Sequence, residues 1–231
     1  STGNIWVGSN GKGVFKSTDN GESWISYNTT DGLGSDYISG ISISGTRIYV
    51  ATFKGLSYTD DDGKTWINLT TVNGLCDDLL KDVSSSGALV CVSTYNGLSI
   101  SMDSGLSWVT RTTSNGLLSN NVNSVTIFGA TIYASTYSSI SYSTDYGLNW
   151  INCKCSDLSG TTGTVYHAMV VNDRLYVATN GGIGVNNLKC TDDWVLLSTA
   201  NGLGSNIIYY LSASGSTIYA ATSNGLSIST D

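Results

Sequence analysis

The chain has 231 residues, with 17 acidic and ten basic side chains, a net charge of −7, 27 glycines and no proline. Its few cations are scattered, so it has no basic stripe to neutralise phosphates; this excludes nucleic acid as a partner and disfavours anionic membrane surfaces. No run approaches 18 apolar residues, so no membrane insertion is expected, and short runs of Ile, Val, Tyr and Thr between glycines suit many short strands.

In chain order, NIWVGSNGKGVFKSTDNGESW (Asn4–Trp24) reads as a strand, a turn, a second strand and an aspartate-containing turn. Its glycine-rich start precedes a strand rather than a helix, so it is no phosphate loop. The next unit is fuller. DYISGISIS (Asp36–Ser44) alternates at Ile41 and Ile43 as a first strand, and RIYVAT (Arg47–Thr52) is a second. LSYT (Leu56–Thr59) follows Gly55 as a third, and TWINLTT (Thr65–Thr71) is a fourth before NGL at Asn73–Leu75. ALVCVSTYNGLSISMDSGLSW (Ala88–Trp108), TIYASTYSSISYSTDYGLNW (Thr131–Trp150) and RLYVATNGGIGVNN (Arg174–Asn187) keep the plan, and TIYAATSNGLSISTD (Thr217–Asp231) reaches a third strand. By this alignment the first unit begins at its second strand.

The turn STDNGESW (Ser17–Trp24) returns as TDDDGKTW (Thr59–Trp66), SMDSGLSW (Ser101–Trp108) and STDYGLNW (Ser143–Trp150), so Asp19, Asp61, Asp103 and Asp145 stand 42 residues apart. A motif recurring at a fixed period is a structural device before it is a catalytic one. Four antiparallel strands in about 42 residues cannot bury both faces alone, and stacking such units around an axis does. The fold expected is therefore all-β, a β-propeller of four-stranded antiparallel blades built from six repeats, with five blades as the alternative if the termini share one. The repeats span about 1–33, 34–75, 76–117, 118–158, 159–203 and 204–231 of a single domain 1–231. The opening at Ser1 shows no signal-peptide pattern, which leaves a matured secreted product, a trimmed piece of a longer ring and a cytosolic chain all open.

The pattern [ST]-x-D-x-G-x-[ST]-W resembles the Asp box, or bacterial neuraminidase repeat. Copies decay at Asn149 and in TDDW (Thr191–Trp194), which lacks the glycine. NGLGSNIIYYLSASGSTIYAATSNGL (Asn201–Leu226) is similar to the repeat of two-component-regulator propellers. The resemblance implies a structural role for Asp19, Asp61, Asp103 and Asp145 in the turn between third and fourth strands, on a rim away from any ligand face. Trp24, Trp66, Trp108 and Trp150 are then expected between blades. It also brings sialidases to mind, which grip a carboxylate with three arginines. Here Arg47 and Arg174 hold one position in two repeats, Arg111 lies in a fourth strand, and the units carry no pocket-building insertions, so a glycosidase is the less favoured reading.

Other chemistry is sparse. His167 is the only histidine and falls in an expected innermost strand, TVYHAMVV. No nucleophile elbow surrounds a serine. Five cysteines, Cys76, Cys91, Cys153, Cys155 and Cys190, lack the histidine partners of a zinc site and read as buried or partly paired. No cofactor is expected, and Asp60–Asp62 leaves only loose Ca²⁺ binding as an alternative to turn chemistry. The sequons at Asn28 and Asn68 are placed at equivalent fourth-strand positions.

The face opposite the aspartate turns collects the loops joining fourth to first and second to third strands. There Asp36, Asp78, Asn120 and Asn206 recur at one position, and Phe53, Tyr95 and Tyr137 at another. Aromatic faces beside carboxylates and amides suit a glycan or protein ligand, while the same side chains also suit turn caps and packing. The function expected is a non-enzymatic binding module, extracellular, cell-surface or periplasmic. A self-associating structural propeller of a surface assembly is the alternative.

Overall fold

The computed structural model describes residues 3–154, 164–189 and 194–230. Among them the chain forms 22 strands in six antiparallel sheets, a six-bladed β-propeller whose complete blades have four strands. The chain divides into two compact units, Ser1–Thr112 and Thr113–Asp231.

The first unit holds β1 (Ile5–Gly8), β2 (Val14–Ser17) and β3 (Ile25–Tyr27) in one sheet, and β4 (Ile38–Ser44), β5 (Arg47–Thr52), β6 (Gly55–Thr59) and β7 (Ile67–Leu69) in the next. Its third sheet is β8 (Leu80–Ser86), β9 (Leu89–Thr94), β10 (Leu98–Ser101) and β11 (Val109–Arg111). The second unit holds β12 (Val122–Phe128), β13 (Thr131–Thr136), β14 (Ser139–Ser143) and β15 (Ile151–Lys154) in its first sheet. Its second sheet is β16 (Val165–Val171), β17 (Arg174–Thr179), β18 (Ile183–Asn187) and β19 (Val195–Leu197), and its third is β20 (Ile208–Ser214), β21 (Thr217–Thr222) and β22 (Gly225–Ser229).

Each sheet is a meander in sequence order, and the connections within it that lie among the described residues are short turns. The third-to-fourth turns need two left-handed residues in succession: Asp62 at φ 66° precedes Gly63 at φ 93°. A side chain at Gly63 would also meet the Tyr27 ring at 2.8 Å, so the glycine answers both backbone and packing.

Apolar faces of successive blades close on one another. Between the first two, Val14, Leu33, Ile48, Val50 and Trp66 form a core with Trp6 and Tyr27 against it. Between β4–β7 and β8–β11, Tyr49, Leu56, Leu69, Leu80 and Val92 do the same. In the second unit, Tyr133, Ile140 and Tyr142 pack with Val165, Leu175 and Val177, and Ile183 and Val185 pack with Ile208, Leu211 and Ile218. Neither sheet face could leave water in isolation, so stacking supplies the burial that holds each blade.

The fourth strands are shorter than expected. TWINLTT contributes only Ile67–Leu69, because Thr65 belongs to the aspartate turn and Thr70 caps a 3₁₀ turn at Thr71–Asn73. Equivalent 3₁₀ turns lie at Thr29–Asp31, Thr113–Asn115 and Thr199–Asn201. Each first strand carries a bulge, at Ser39, Lys81, Asn123, Tyr166 and Tyr209, where the register slips by one residue.

Candidate functional site

The four aspartate turns share one hydrogen-bond circuit. Asp61 Oδ1 accepts from the Thr65 amide at 2.9 Å and the Thr59 hydroxyl at 2.8 Å, and Oδ2 accepts from the Thr65 hydroxyl at 2.7 Å. Thr59 Oγ1 in turn accepts from the Gly63 amide at 2.9 Å. Asp19 and Asp103 repeat this with Ser17 and Ser23, and with Ser101 and Ser107. At Asp145 the Asn149 side-chain amide replaces the hydroxyl at 2.7 Å. Donors aimed at the charged form hold Asp19, Asp61 and Asp103 down to about 2, the Ser23, Thr65 and Ser107 hydroxyls contributing most; for Asp145 the Asn149 backbone amide leads. In Asp60–Asp62 the three carboxylates have three different roles: Asp60 pairs with Arg47 through two contacts of 2.6 and 2.7 Å, Asp61 closes its turn, and Asp62 meets Lys16 and Asn4.

The four tryptophans differ. Trp66 is 9% exposed and lies against Trp6 and Tyr27 of the preceding blade, at 6.3 and 5.9 Å between ring centroids. Trp108 packs on the core between the second and third blades. Trp150 is half-buried, and its indole N–H donates to the Gly147 carbonyl at 3.1 Å. Trp24 is 44% exposed and donates to the Gly21 carbonyl in its own turn.

The fourth-to-first loops place Asp36, Asp78, Asn120 and Asn206 over the preceding 3₁₀ turns. Their Oδ1 atoms accept from the amides of Thr29, Thr71, Thr113 and Thr199 at 2.6–2.7 Å, a staple across seven residues. The second Asp36 and Asp78 oxygens meet the Thr29 and Thr71 hydroxyls at 3.4 and 3.5 Å. These side chains therefore hold the loops, as a carboxylate or amide does for orphan N–H groups at a helix start.

Beside them stand the second-to-third turns. Phe53, Tyr95 and Tyr137 are 46%, 51% and 56% exposed. Phe53 stacks on Tyr37 of the adjoining loop at 5.6 Å and 13°, which brings the two kinds of loop to one end of the blade. Lys81, the bulged residue of β8, sets its ammonium 3.8 Å from the Tyr95 ring centroid, and burial pulls its pKa below the usual lysine range. In the second unit the bulged Tyr166 and Tyr209 meet edge to face at 5.8 Å. Sequence reading missed Tyr37, Lys81, Tyr166 and Tyr209; the signal available was one extra residue in each first strand.

His167 is buried in β16, stacked on Tyr210 at 3.9 Å, and burial lowers its pKa to about 4. Its Nδ1 has no hydrogen-bond partner among the described residues. Cys76 and Cys91 are free thiols, and Cys153 is disulfide-bonded. Cys155, Cys190 and most of the TDDW turn lie outside the described residues. The sequons are not equivalent: Asn28 caps a 3₁₀ turn, whereas Asn68 lies within β7 and donates to the Gly32 carbonyl at 2.7 Å. Among the described residues no helix is long and apolar enough to cross a membrane.

No family model matches the chain, and no curated protein matches it. Solved structures do. The extracellular domain of the hybrid two component system BT3049 from B. thetaiotaomicron is similar at TM-score 0.76 and 15% identity, over 97% of this chain and 31% of that one. YCF48 bound to D1 peptide is similar at 0.72 and 17%, over 100% of this chain and 75% of that one. An ancestral GH74 enzyme is similar at 0.75 and 19%, over 98% and 34%. The chain thus spans about a third of BT3049 and of the GH74 enzyme. At these identities the likeness is one of fold, and the fold that this chain shares with them is the β-propeller.

Proposed function

We propose that the chain is a non-enzymatic binding module whose loop end recognises a protein or glycan ligand. The observation that carries this reading is the exposed aromatic at the same turn of three repeats, Phe53, Tyr95 and Tyr137, seated beside loops whose own polar groups are already stapled. An aromatic face held in place loses little entropy on binding and removes a large apolar area from water. Asp36, Asp78, Asn120 and Asn206 keep further acceptor and donor capacity for a ligand at the rim of that surface. The peptide bound by YCF48 and the extracellular setting of BT3049 support a peptide-like ligand and an extracellular, surface or periplasmic location. The aspartate turns support assignment to the Asp-box propellers, with six blades making one domain.

Glycan-array and peptide-array screening of the whole chain tests the reading, followed by titration of any ligand found. Tyr95→Ala and Phe53→Ala should each weaken binding at least about tenfold with melting temperature unchanged, since both rings project from turns. A ligand that binds all these variants as tightly as the parent chain sinks it. Absence of any ligand, together with concentration-dependent self-association, favours the assembly alternative.

A further inference from the structure

The chain carries two sequons, Asn28-Thr29-Thr30 and Asn68-Leu69-Thr70, and the hydrogen bonds at each set them apart. Asn68 is a structural residue. Its Nδ2 donates to the Gly32 carbonyl at 2.7 Å, and its Oδ1 accepts from the Ser57 hydroxyl at 2.5 Å. Asn152 makes the same pair of bonds, to the Gly116 carbonyl at 3.0 Å and from the Ser141 hydroxyl at 2.5 Å. Yet Asn152-Cys153-Lys154 is no sequon. The blade therefore accounts for asparagine at this position without any modification.

Asn28 is different. It caps the 3₁₀ turn Thr29–Asp31, and the cap uses only its side-chain oxygen: Oδ1 accepts from the Thr30 amide at 2.8 Å and the Thr30 hydroxyl at 2.6 Å. At the same place in two other repeats stand Thr70 and Ser198, which cap with an oxygen and carry no amide nitrogen. The fold thus asks for an acceptor here, and asparagine adds a nitrogen that the cap does not need. Among the described residues Asn28 Nδ2 has no hydrogen-bond partner. Thr29 and Thr30 beside it are exposed. A substituent on Nδ2 leaves Oδ1 and both of its bonds in place.

The surroundings place that nitrogen. β3 runs from the aspartate turn before Ile25 to Tyr27, so Asn28 lies at the loop end of its blade. There Asp36 holds the Thr29 amide at 2.7 Å, and the Asp36 carbonyl accepts from the Gly11 and Gly13 amides at 3.1 and 2.9 Å. A group attached to Asn28 projects from a loop that is already fixed, and it leaves the aspartate turns uncovered.

We propose that Asn28 is an N-glycosylation site, the acceptor for an oligosaccharide that an oligosaccharyltransferase delivers from a lipid pyrophosphate, and that Asn68 is not. Asn28 Nδ2 forms a bond to C1 of the first sugar. The bond from C1 to the pyrophosphate oxygen breaks, its electron pair stays on the departing lipid pyrophosphate, and one Nδ2 proton is lost to base. The product keeps the amide oxygen and with it the cap. A sugar on Asn68 Nδ2 enters instead the contact with the Gly32 carbonyl, and it loosens the bonds that hold β7 to the loop before β4. The assignment rests on the extracellular location proposed above, which takes the chain through a secretory pathway.

Secretion of the whole chain from a eukaryotic cell line behind a fused signal peptide tests this. The signal is supplied, so a natural protein confined to the cytosol would sink the reading of location and leave this result standing. Peptide mass mapping, before and after an N-glycosidase that leaves aspartate where a sugar stood, should show Asn28 occupied and Asn68 bare in the secreted protein. Asn28→Thr keeps a capping oxygen, as Thr70 does, and should be secreted, melt at the temperature of the enzymatically deglycosylated parent and lose all of the sugar mass. Asn68→Gln should lower the melting temperature and leave the sugar mass unchanged, because it breaks a structural contact and removes no acceptor. Secreted protein that is bare at Asn28, or sugar that persists in Asn28→Thr, would overturn the proposal. So would a sugar at Asn68 in protein that melts no lower than its deglycosylated form.

Discussion

Trp66 and Trp24 occupy the same place in the same motif, and they should respond very differently to truncation. An indole that leaves water fully buries on the order of 200 Å², worth about 25 cal/mol per Å². Trp66, 9% exposed, then contributes ~4 kcal/mol, and Trp24, 44% exposed, ~2–3 kcal/mol before its neighbours relax. Truncating Trp66 also leaves a cavity among Trp6, Tyr27, Leu33 and Ile48, which adds to the loss, whereas water fills the space left by Trp24. Trp66→Ala should therefore cost ~4–5 kcal/mol and Trp24→Ala about 2 kcal/mol or less. At roughly 2–4 °C per kcal/mol for a chain of this size, the melting temperatures fall by ~8–20 °C and ~2–8 °C.

A finer comparison isolates the indole N–H. Trp66 Nε1 is buried with no acceptor among the described residues, while Trp150 Nε1 donates to the Gly147 carbonyl. Phenylalanine at 66 removes a buried donor that has lost its water, which offsets part of the lost area; at 150 it removes a made bond. Trp66→Phe should thus be milder than its burial alone suggests. Urea titrations with a shared m-value read these differences directly. Equal losses for Trp24→Ala and Trp66→Ala would refute the reasoning, because burial by the preceding blade would then not be what stabilises the motif.

Three further expectations follow from titratable groups and thiols. The four turn aspartates have folded pKa values near 2, below their ordinary 3.8, so their contribution is complete above about pH 4 and is lost as pH falls toward 2. Asp103→Asn should flatten that part of a stability–pH profile, and an unchanged slope would refute it. His167 has a folded pKa of about 4 against an ordinary 6.5, so unfolding takes up a proton between those values and stability drops as pH falls through that window. His167→Phe keeps the stack on Tyr210 and should remove the drop, measured by thermal melts from pH 7 to 4. Cys76 should react with a thiol reagent in the native state, whereas Cys91, fully buried with its pKa raised, should react only on unfolding, as peptide mass mapping would show.

The period carried most of the fold. RIYVAT coincides with β5 at both ends, and RLYVATNGGIGVNN gives β17, a turn and β18 as expected, because their β-branched and aromatic residues sit mid-sheet where propensity and burial agree. Boundaries failed where a side chain preferred the backbone of another loop. Asp36 opens the expected first strand, yet it turns back to cap Thr29, and β4 starts at Ile38. Thr70, expected in the fourth strand, instead caps Thr71–Asn73. Sequence could not tell Trp24 from Trp66, since the letters match and the difference lies in the neighbouring blade. Lys81 was equally hidden: only the bulge in β8 turns it toward Tyr95.

The division of labour among repeated positions explains why the loop end is the place for recognition. At the aspartate turns both carboxylate oxygens of the repeated residue, as at Asp61, are committed to its own hairpin, so variation there costs the blade. At the loop end the staple needs only an oxygen that accepts from one amide, and both aspartate and asparagine supply it at 2.6–2.7 Å. The turn residue beside it has no such duty: Phe53, Tyr95 and Tyr137 project outward, and Ser223 stands at the same position in the last repeat. A position that tolerates phenylalanine, tyrosine and serine without altering the hairpin is one whose side chain is free to be chosen by what it touches. The blades fix the geometry, and these turns are left to set the contact.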